Sequence, residues 1–437
     1  MLFGLVGAAF NRFAALLLYL WFALFRPQEW VWFDLSSLRL SLVLGIVLVV
    51  PSLLSGILPN VTHALSVGAL LFLGCGFMAQ VNAIRPDIGW AWLDALARLI
   101  VVSLLMVTML NTRRRIVLAV AVISGSMGFH GAKAGLASLL GGGLQFTEGL
   151  GGAFSDNNGY ALGVVMVMPL LLATAQALSR NGPIERWVRL AFFAAVPLCA
   201  LTVVATFSRG GFLALAASTI VFLMLQKRRL MAVVLLVLAF AAALPFIPIQ
   251  ERYAERLQTI QNYSEEGSAA GRLHFWRVAV KMALDKPLGI GVRNFEQAYD
   301  RYDDTGGKYG TGRAVHSSHF QVVAELGFIG TIVWVVQFGL AFVVALRIRR
   351  RAATPGIAAD DQRFLLAMSN GLIVSMSGFL VGGAFLALAL NDLTWLTFAV
   401  LAGLDVVSRR MVSDAERTRE PQTVERGFET ALGSVVP

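Results

Sequence analysis

Apolar runs of about 20 residues recur along the whole of this 437-residue chain, and no other feature restricts its fold as much. A bilayer's hydrocarbon core takes about 20 apolar residues per helical span, and every backbone N–H and C=O within it must be satisfied internally, which favours helices. Composition points the same way. Hydrophobic residues make up 57% of the chain and charged residues 14%, and the mean hydropathy is +0.71, more apolar than a soluble domain requires. The chain therefore reads as an all-α polytopic membrane protein. Its first apolar run has no small-residue cleavage signature and leads into "RPQEWVWF", so it is expected to remain as a span.

Cys75 and Cys199 each lie alone in an apolar run, which speaks against a disulfide framework or a zinc site. The formal charge of +10 comes from short basic clusters between spans. That spacing is a mark of topology, and no nucleic-acid partner is expected.

Expected spans run 8–25, 40–58, 66–84, 92–110, 116–136, 159–178, 190–206, 211–226, 231–248, 324–346, 364–386 and 392–408. With these twelve spans both termini are cytoplasmic. Arg113–Arg115, Arg180 with Arg186 and Arg189, Lys227–Arg229, Arg347 with Arg349–Arg351, and Arg409–Arg410 then all fall on that side, as short basic loops should. Four regions follow: spans one to nine in 1–248, an external helical loop domain in 249–323, spans ten to twelve in 324–410, and a disordered cytoplasmic tail in 411–437. In the loop domain "IQERYAERLQTIQNY" and "GRLHFWRVAVKMALDK" both carry apolar residues at helical spacing. The tail has no apolar periodicity, and the chain shows no internal repeat of the kind that builds inverted-repeat transporters.

Three stretches keep polar residues at the expected external surface. In "FSDNNGYAL", Asp156, Asn157 and Asn158 stand at the start of a span, where capping alone would account for them. In "TFSRGGFLAL" a tight turn needs its glycines for geometry but has no need of Arg209, which either snorkels to headgroups or binds an anion. In "AVHSSHFQVVAELGFIG", His316 and His319 precede a span and Glu325 lies in its first turn. No H-E-x-x-H pattern or third ligand accompanies them, so no metal is expected, and a carboxylate at a helix start is favoured in any case. All three spans run inward from the external side. Their amino-terminal ends carry unpaired N–H groups and partial positive charge, which attract anions.

The loop domain adds Arg272, Arg277, Lys281 and, after "KPLGIG", Arg293. Guanidinium forks match phosphate oxygens in pairs, which makes a pyrophosphate ligand the natural expectation. "GIGVRNF" lacks the strand and third glycine of a dinucleotide fingerprint. Lys133, with His130 near the outer end of the fifth span, is either a further candidate by its cost in apolar surroundings or a side chain that snorkels to the headgroups. Asp94 and Arg98, four apart, read as a structural pair.

"SDNNGYAL", "SRGG", "GRLHFWRVA…PLGIGVRNF" and "HSSHFQVVAELGFIG", in that order over about residues 150–346, resemble the bacterial O-antigen (lipopolysaccharide) ligases. These share a membrane domain with O-antigen polymerases and protein O-oligosaccharyltransferases. "RPQEW" and "GAKAG" resemble the branch of O-glycosylation ligases found beside exosortase systems. The family usually has His-Asn before its "L…ElG" segment, whereas Ser317 follows His316 here. Aligning Glu325 and Gly327 puts His316 at the family's important histidine, and His319 stands three residues away as the alternative.

The resemblance implies glycan transfer on the periplasmic side of the bacterial inner membrane, without nucleotide, metal or other cofactor. The donor would be a polysaccharide on undecaprenyl pyrophosphate, and the acceptor a hydroxyl of the lipid A core oligosaccharide, both presented among membrane lipids. Arg209 and Arg272 would hold the departing phosphate charge and His316 would be the base, with inversion at the anomeric carbon. Lys133, Asp156, Asn157, Asn158, Arg277, Lys281, Arg293, His319 and Glu325 would bind substrate. Two rival enzymes are a polymerase and a protein O-oligosaccharyltransferase, the latter disfavoured by the lack of a large external domain after the last span. A lipid-linked glycan transporter is the rival of another class, although it would be expected to hold charge at the membrane midplane.

Overall fold

A computed structural model describes residues 11–31, 38–141, 148–152, 154–178, 182–231, 233–234 and 265–433. Helices occupy eleven of the twelve expected span positions: α1 (Arg12–Phe25), α2 (Leu40–Leu54), α3 (Ala64–Ala79), α4 (Pro86–Met109), α5 (Arg113–Leu140), α6 (Asn157–Ala177), α7 (Pro183–Ala205), α8 (Arg209–Leu225), α11 (Ser318–Arg351), α12 (Ala359–Gly382) and α13 (Asp392–Gly433). Between α8 and α11 come α9 (Glu265–Asp285) and α10 (Phe295–Tyr302), and a small hairpin of β1 (Glu148–Gly151) and β2 (Phe154–Asp156) precedes α6. Among the described residues, seven helices are long and apolar enough to cross a membrane, as a polytopic all-α membrane protein requires. The expected span 231–248 and the stretch "IQERYAERLQTIQNY" lie outside the described residues.

α6 is apolar all round and correspondingly buried, as expected of a helix at the centre of a bundle. Small residues allow its neighbours to approach: a Cβ on Gly371 of α12 would meet the Ala173 Cβ at 2.8 Å, and one on Gly211 of α8 would meet the Ala161 Cβ at 2.6 Å. Close contact through small side chains is how helices associate where water supplies no hydrophobic drive. A second knot of packing is aromatic. Phe72, Trp334, Phe338, Phe379, Trp395 and Phe398 join α3, α11, α12 and α13.

Residues 270–317 pack around their own small core, with Phe275, Val278, Met282, Ile290, Phe295, Tyr299 and Val315 buried together. The "PLGIG" loop docks this unit onto the bundle. Ile290 and Gly291 donate to the carbonyls of Ala324 and Glu325 at 3.0 and 3.2 Å, and Phe328 donates to Pro287 O at 3.0 Å. These bonds are available because α11 breaks at Gly327, where φ is +64°. A Cβ there would lie 2.1 Å from Pro287 O, and one on Gly289 (φ +93°) would lie 2.3 Å from Glu325 O. Only glycine fits both positions.

Two boundaries differ from the sequence expectation. α11 starts at Ser318, not near Ala324, because the Ser317 hydroxyl caps it by accepting from Phe320 N. Glu325 therefore sits two turns inside the helix and not in its first turn. α13 continues through the tail expected to be disordered, as far as Gly433. The stretch "SDAERTRE" lacks a core-facing stripe, yet Ala, Glu and Arg are strong helix formers, and the exposed Thr418 donates back to Asp414 O at 2.8 Å.

Basic residues gather at one end of the bundle. Arg113 pairs with Asp361 at 2.8 Å, and the buried Asp405 accepts from Arg351, Arg409 and His63 at 2.5, 2.6 and 3.2 Å. The helix starts at Asn157, Arg209 and Ser318 meet at the opposite end.

Candidate functional site

Local capping brings the polar motifs into register. The Asp156 carboxylate caps α6, accepting from the N–H groups of Asn158 and Gly159 at 2.8 and 3.0 Å. Ser208 caps α8 by accepting from Gly211 N at 3.0 Å, while its hydroxyl donates to Asn158 Oδ1 at 2.8 Å. Asn157 Nδ2 donates to Thr206 O at 2.9 Å. The asparagines thus tie "SDNNG" to "TFSRGG" and fix the position from which Arg209, exposed at the first residue of α8, projects. Of the three helix ends expected to attract an anion, that of α6 is already served by its own carboxylate.

Phe385 connects this pair of loops to the 270–317 unit. A Cβ on Gly210, next to Arg209, would stand 3.3 Å from the Phe385 Cβ, and the Arg272 guanidinium lies 5.9 Å from the centre of the Phe385 ring. Arg272 is carried by α9, which stacks Trp276 on Phe320 of α11 with ring centres 5.0 Å apart and planes within 9°. The backbone next to Arg209 and the Arg272 side chain therefore approach one aromatic residue from different elements.

His316 joins them from the start of α11. The Ser318 hydroxyl donates to Leu386 O at 2.6 Å and accepts from Leu388 N at 2.9 Å, which pins the residues after His316 to the segment carrying Phe385. His316 has φ +48°, an uncommon conformation for a residue with a side chain, and such strain gathers at functional positions. Its ring lies 6.1 Å from that of Phe275. Burial, and then the positive charges of Arg272 and Arg313, hold its pKa below the ordinary 6.5, opposed by Glu296 and Asp156. Arg272 and Asp156, from elements far apart in sequence, thus both act on His316.

His319 is differently placed. Its Nδ1 accepts from the Trp334 indole N–H at 3.2 Å and its Nε2 faces Leu380 O at 2.9 Å, so the proton resides on Nε2 and both nitrogens are engaged. Two hydrogen bonds thus hold the His319 ring in place.

The other expected binding residues lie apart from this centre. Glu325 is buried and accepts from Arg293 N at 2.8 Å and Gln321 Nε2 at 3.1 Å, which makes it a clamp on the docking loop. Arg293 stacks its guanidinium 4.6 Å from the Trp92 ring centre. Lys281 is paired with Asp304, Arg277 is exposed on another face of α9 from Arg272, and Lys133 lies 4.4 Å over the Trp30 ring. Asp94 and Arg98 pair at 2.8 Å. Among the described residues one group of three side chains, His274, Asp303 and Asp304, has metal-ligand character. The two ring nitrogens of His274 face different carboxylates, at 2.8 Å for Asp303 and 3.7 Å for Asp304.

Sequence reasoning overlooked Phe385, Ser208, Arg313 and Glu296. Arg313 is three residues from His316 and could have been noticed. Phe385 carries no signal, being one apolar residue at the end of an apolar run.

The fold and this site define a polytopic membrane protein with two arginines and a histidine converging at one end of its bundle. A family profile described as O-antigen ligase matches residues 193–335, and a family of unknown function (DUF5935) matches residues 1–175. Residues 193–335 thus match the O-antigen ligase family, which supports an O-antigen ligase/polymerase type of protein. No curated protein matches it.

Proposed function

We propose that this protein is a metal-independent, inverting glycosyltransferase that moves O-antigen polysaccharide from undecaprenyl pyrophosphate to the lipid A core oligosaccharide, at the periplasmic face of the inner membrane. The observation that carries the proposal is the seating of Phe385 between Gly210, next to Arg209, and the Arg272 guanidinium, with Ser318, two residues after His316, hydrogen-bonded to the same segment. The twelve-span topology, with 249–323 as a periplasmic loop domain, is the arrangement that puts this end of the bundle outside.

The acceptor hydroxyl oxygen attacks the anomeric carbon while the bond from that carbon to the phosphate oxygen breaks. Positive charge builds on the sugar and negative charge on the leaving diphosphate. Arg209 and Arg272 stabilise the diphosphate, more strongly where water is excluded. His316 takes the hydroxyl proton as general base, and its lowered pKa keeps it unprotonated at neutral pH. Attack on the face opposite the diphosphate inverts the anomeric centre. Linkage analysis of the product glycan is the test: an inverted configuration is expected, with undiminished yield in chelator. A retained configuration, or activity restored to a chelated enzyme by Mg²⁺ or Mn²⁺, would overturn the mechanism. A polymerase would use the same centre with a second lipid-linked glycan as acceptor.

A further inference from the structure

"RPQEW" and "GAKAG" are far apart in sequence, and the chemistry above uses neither. In the structure they meet. α1 ends at Arg26 in a left-handed conformation, and a short turn over Pro27–Trp30 follows. This delivers Trp30 to α5, where Lys133 lies over its ring at 4.4 Å and His130 and Phe129 pack against it with ring centres 5.3 and 6.2 Å away. His130 fixes the junction by donating to Phe25 O at 2.8 Å. Trp30 is 47% exposed and Phe129 50% exposed. Polar groups border these rings. Arg26 pairs with Glu29 at 3.3 Å, and the buried Arg26 Nε and Gln28 Oε1 have no hydrogen-bond partner among the described residues. Unsatisfied buried polar atoms are costly.

The surface is linked to the transfer centre. Gly151 and Gly152 at the turn of the β1–β2 hairpin press on Glu29 and Arg26, so that a Cβ on either would stand 2.8 and 2.2 Å from those side chains. The same hairpin ends in Asp156, which caps α6 at Asn158 and Gly159, where Asn158 holds Ser208 of the loop carrying Arg209.

From this juxtaposition we infer that Trp30, Phe129 and Lys133 form the subsite that holds the acceptor glycan, a saccharide bearing anionic groups. Exposed aromatic faces take the C–H faces of sugars, with polar tips and borders to bind hydroxyls. Lys133 supplies charge for phosphate or carboxylate substituents. An interfacial aromatic belt is the rival occupant, but a belt needs neither a lysine fixed over the indole nor contact with the hairpin that leads to the active centre.

The inference rests on the proposed glycan transfer, and one experiment on the full chain in nanodiscs separates the two. Binding of a purified phosphorylated core oligosaccharide is measured without donor, for wild type, Trp30→Ala, Trp30→Phe and Lys133→Gln. Saturable binding is expected to weaken on the order of tenfold in Trp30→Ala and Lys133→Gln and less in Trp30→Phe, with His316→Ala binding like wild type. In transfer assays the same variants should raise KM for acceptor and leave KM for donor unchanged. Wild-type binding strength in both Trp30→Ala and Lys133→Gln, with transfer still lost in His316→Ala, would refute the subsite and leave the transferase reading standing. Loss of nanodisc incorporation alone would assign the cluster to membrane anchoring and equally refute it. A wild-type chain that forms no glycosidic bond would defeat both.

Discussion

At the scale of single residues, chemistry is divided between cations and one imidazole. Arg209→Ala and Arg272→Ala are expected to lower transfer by roughly 100- to 1,000-fold, the usual effect of removing a group that stabilises transition-state charge. Both sites are exposed or half-buried, so membrane insertion and folded yield should change little. A lysine at either position should recover only part of the rate, since it lacks the fork that grips two phosphate oxygens. The pH dependence follows from His316. A base must be unprotonated, and burial with Arg272 and Arg313 lowers its pKa below 6.5, so activity should climb as pH rises through that lowered value and be level at neutral pH. Arg272→Gln removes a positive neighbour, which should raise the pKa and move the acidic limb of the residual activity to higher pH. A limb that stays in place would detach Arg272 from His316. Arg209 and His316 were legible in the sequence because polar groups stood where bilayer physics would remove them. The resemblance points to His316 over His319, and what the sequence could not show is that Trp334 and Leu380, 15 and 61 residues away, hydrogen-bond both ring nitrogens of His319.

At the scale of elements, the apolar runs located helices at eleven of the twelve expected positions, seven of them long and apolar enough to cross a membrane, since helix length in a bilayer leaves little freedom. The start of α11 was displaced because "HSSHFQ" is polar enough to look like a loop, while a serine cap and the Trp276–Phe320 stack draw it into the helix. The break at Gly327 was not legible at all. A glycine inside an apolar run has many uses, and only the passing Pro287–Gly291 loop shows which applies here. Gly327→Ala should therefore be severe, combining a disfavoured φ with a clash against Pro287 O, at a cost of about 3 kcal/mol or more. The measurable outcome is a sharp fall in folded yield and faster proteolysis within 270–317, as the unit carrying Arg272 loses its dock. Normal yield with unaltered protease resistance would mean that the dock does not depend on the break.

At the scale of the whole molecule, charge is separated along the bundle. Arg113, Arg351 and Arg409 are tied down by Asp361 and Asp405 at one end, while Arg272, beside Phe385, and the helix starts next to Arg209 and His316 lie at the other. The sequence distributes these groups over more than a hundred residues, and no spacing rule joins them. What joins them is a set of short local devices, namely the caps at Asp156, Ser208 and Ser317 and the hairpin before α6. A transporter would need its charge at mid-depth, and here the candidate site lies at helix ends. The decisive measurement is single-turnover transfer in proteoliposomes containing purified diphosphate-linked glycan and acceptor core lipid, comparing wild type with Arg209→Ala, Arg272→Ala and His316→Ala. New glycosidic product from wild type, with each variant slowed by at least about 100-fold while still binding donor lipid, is the expected result. Variants that transfer at the wild-type rate, or a wild-type protein that moves lipid-linked glycan across the bilayer without forming a bond, would contradict it.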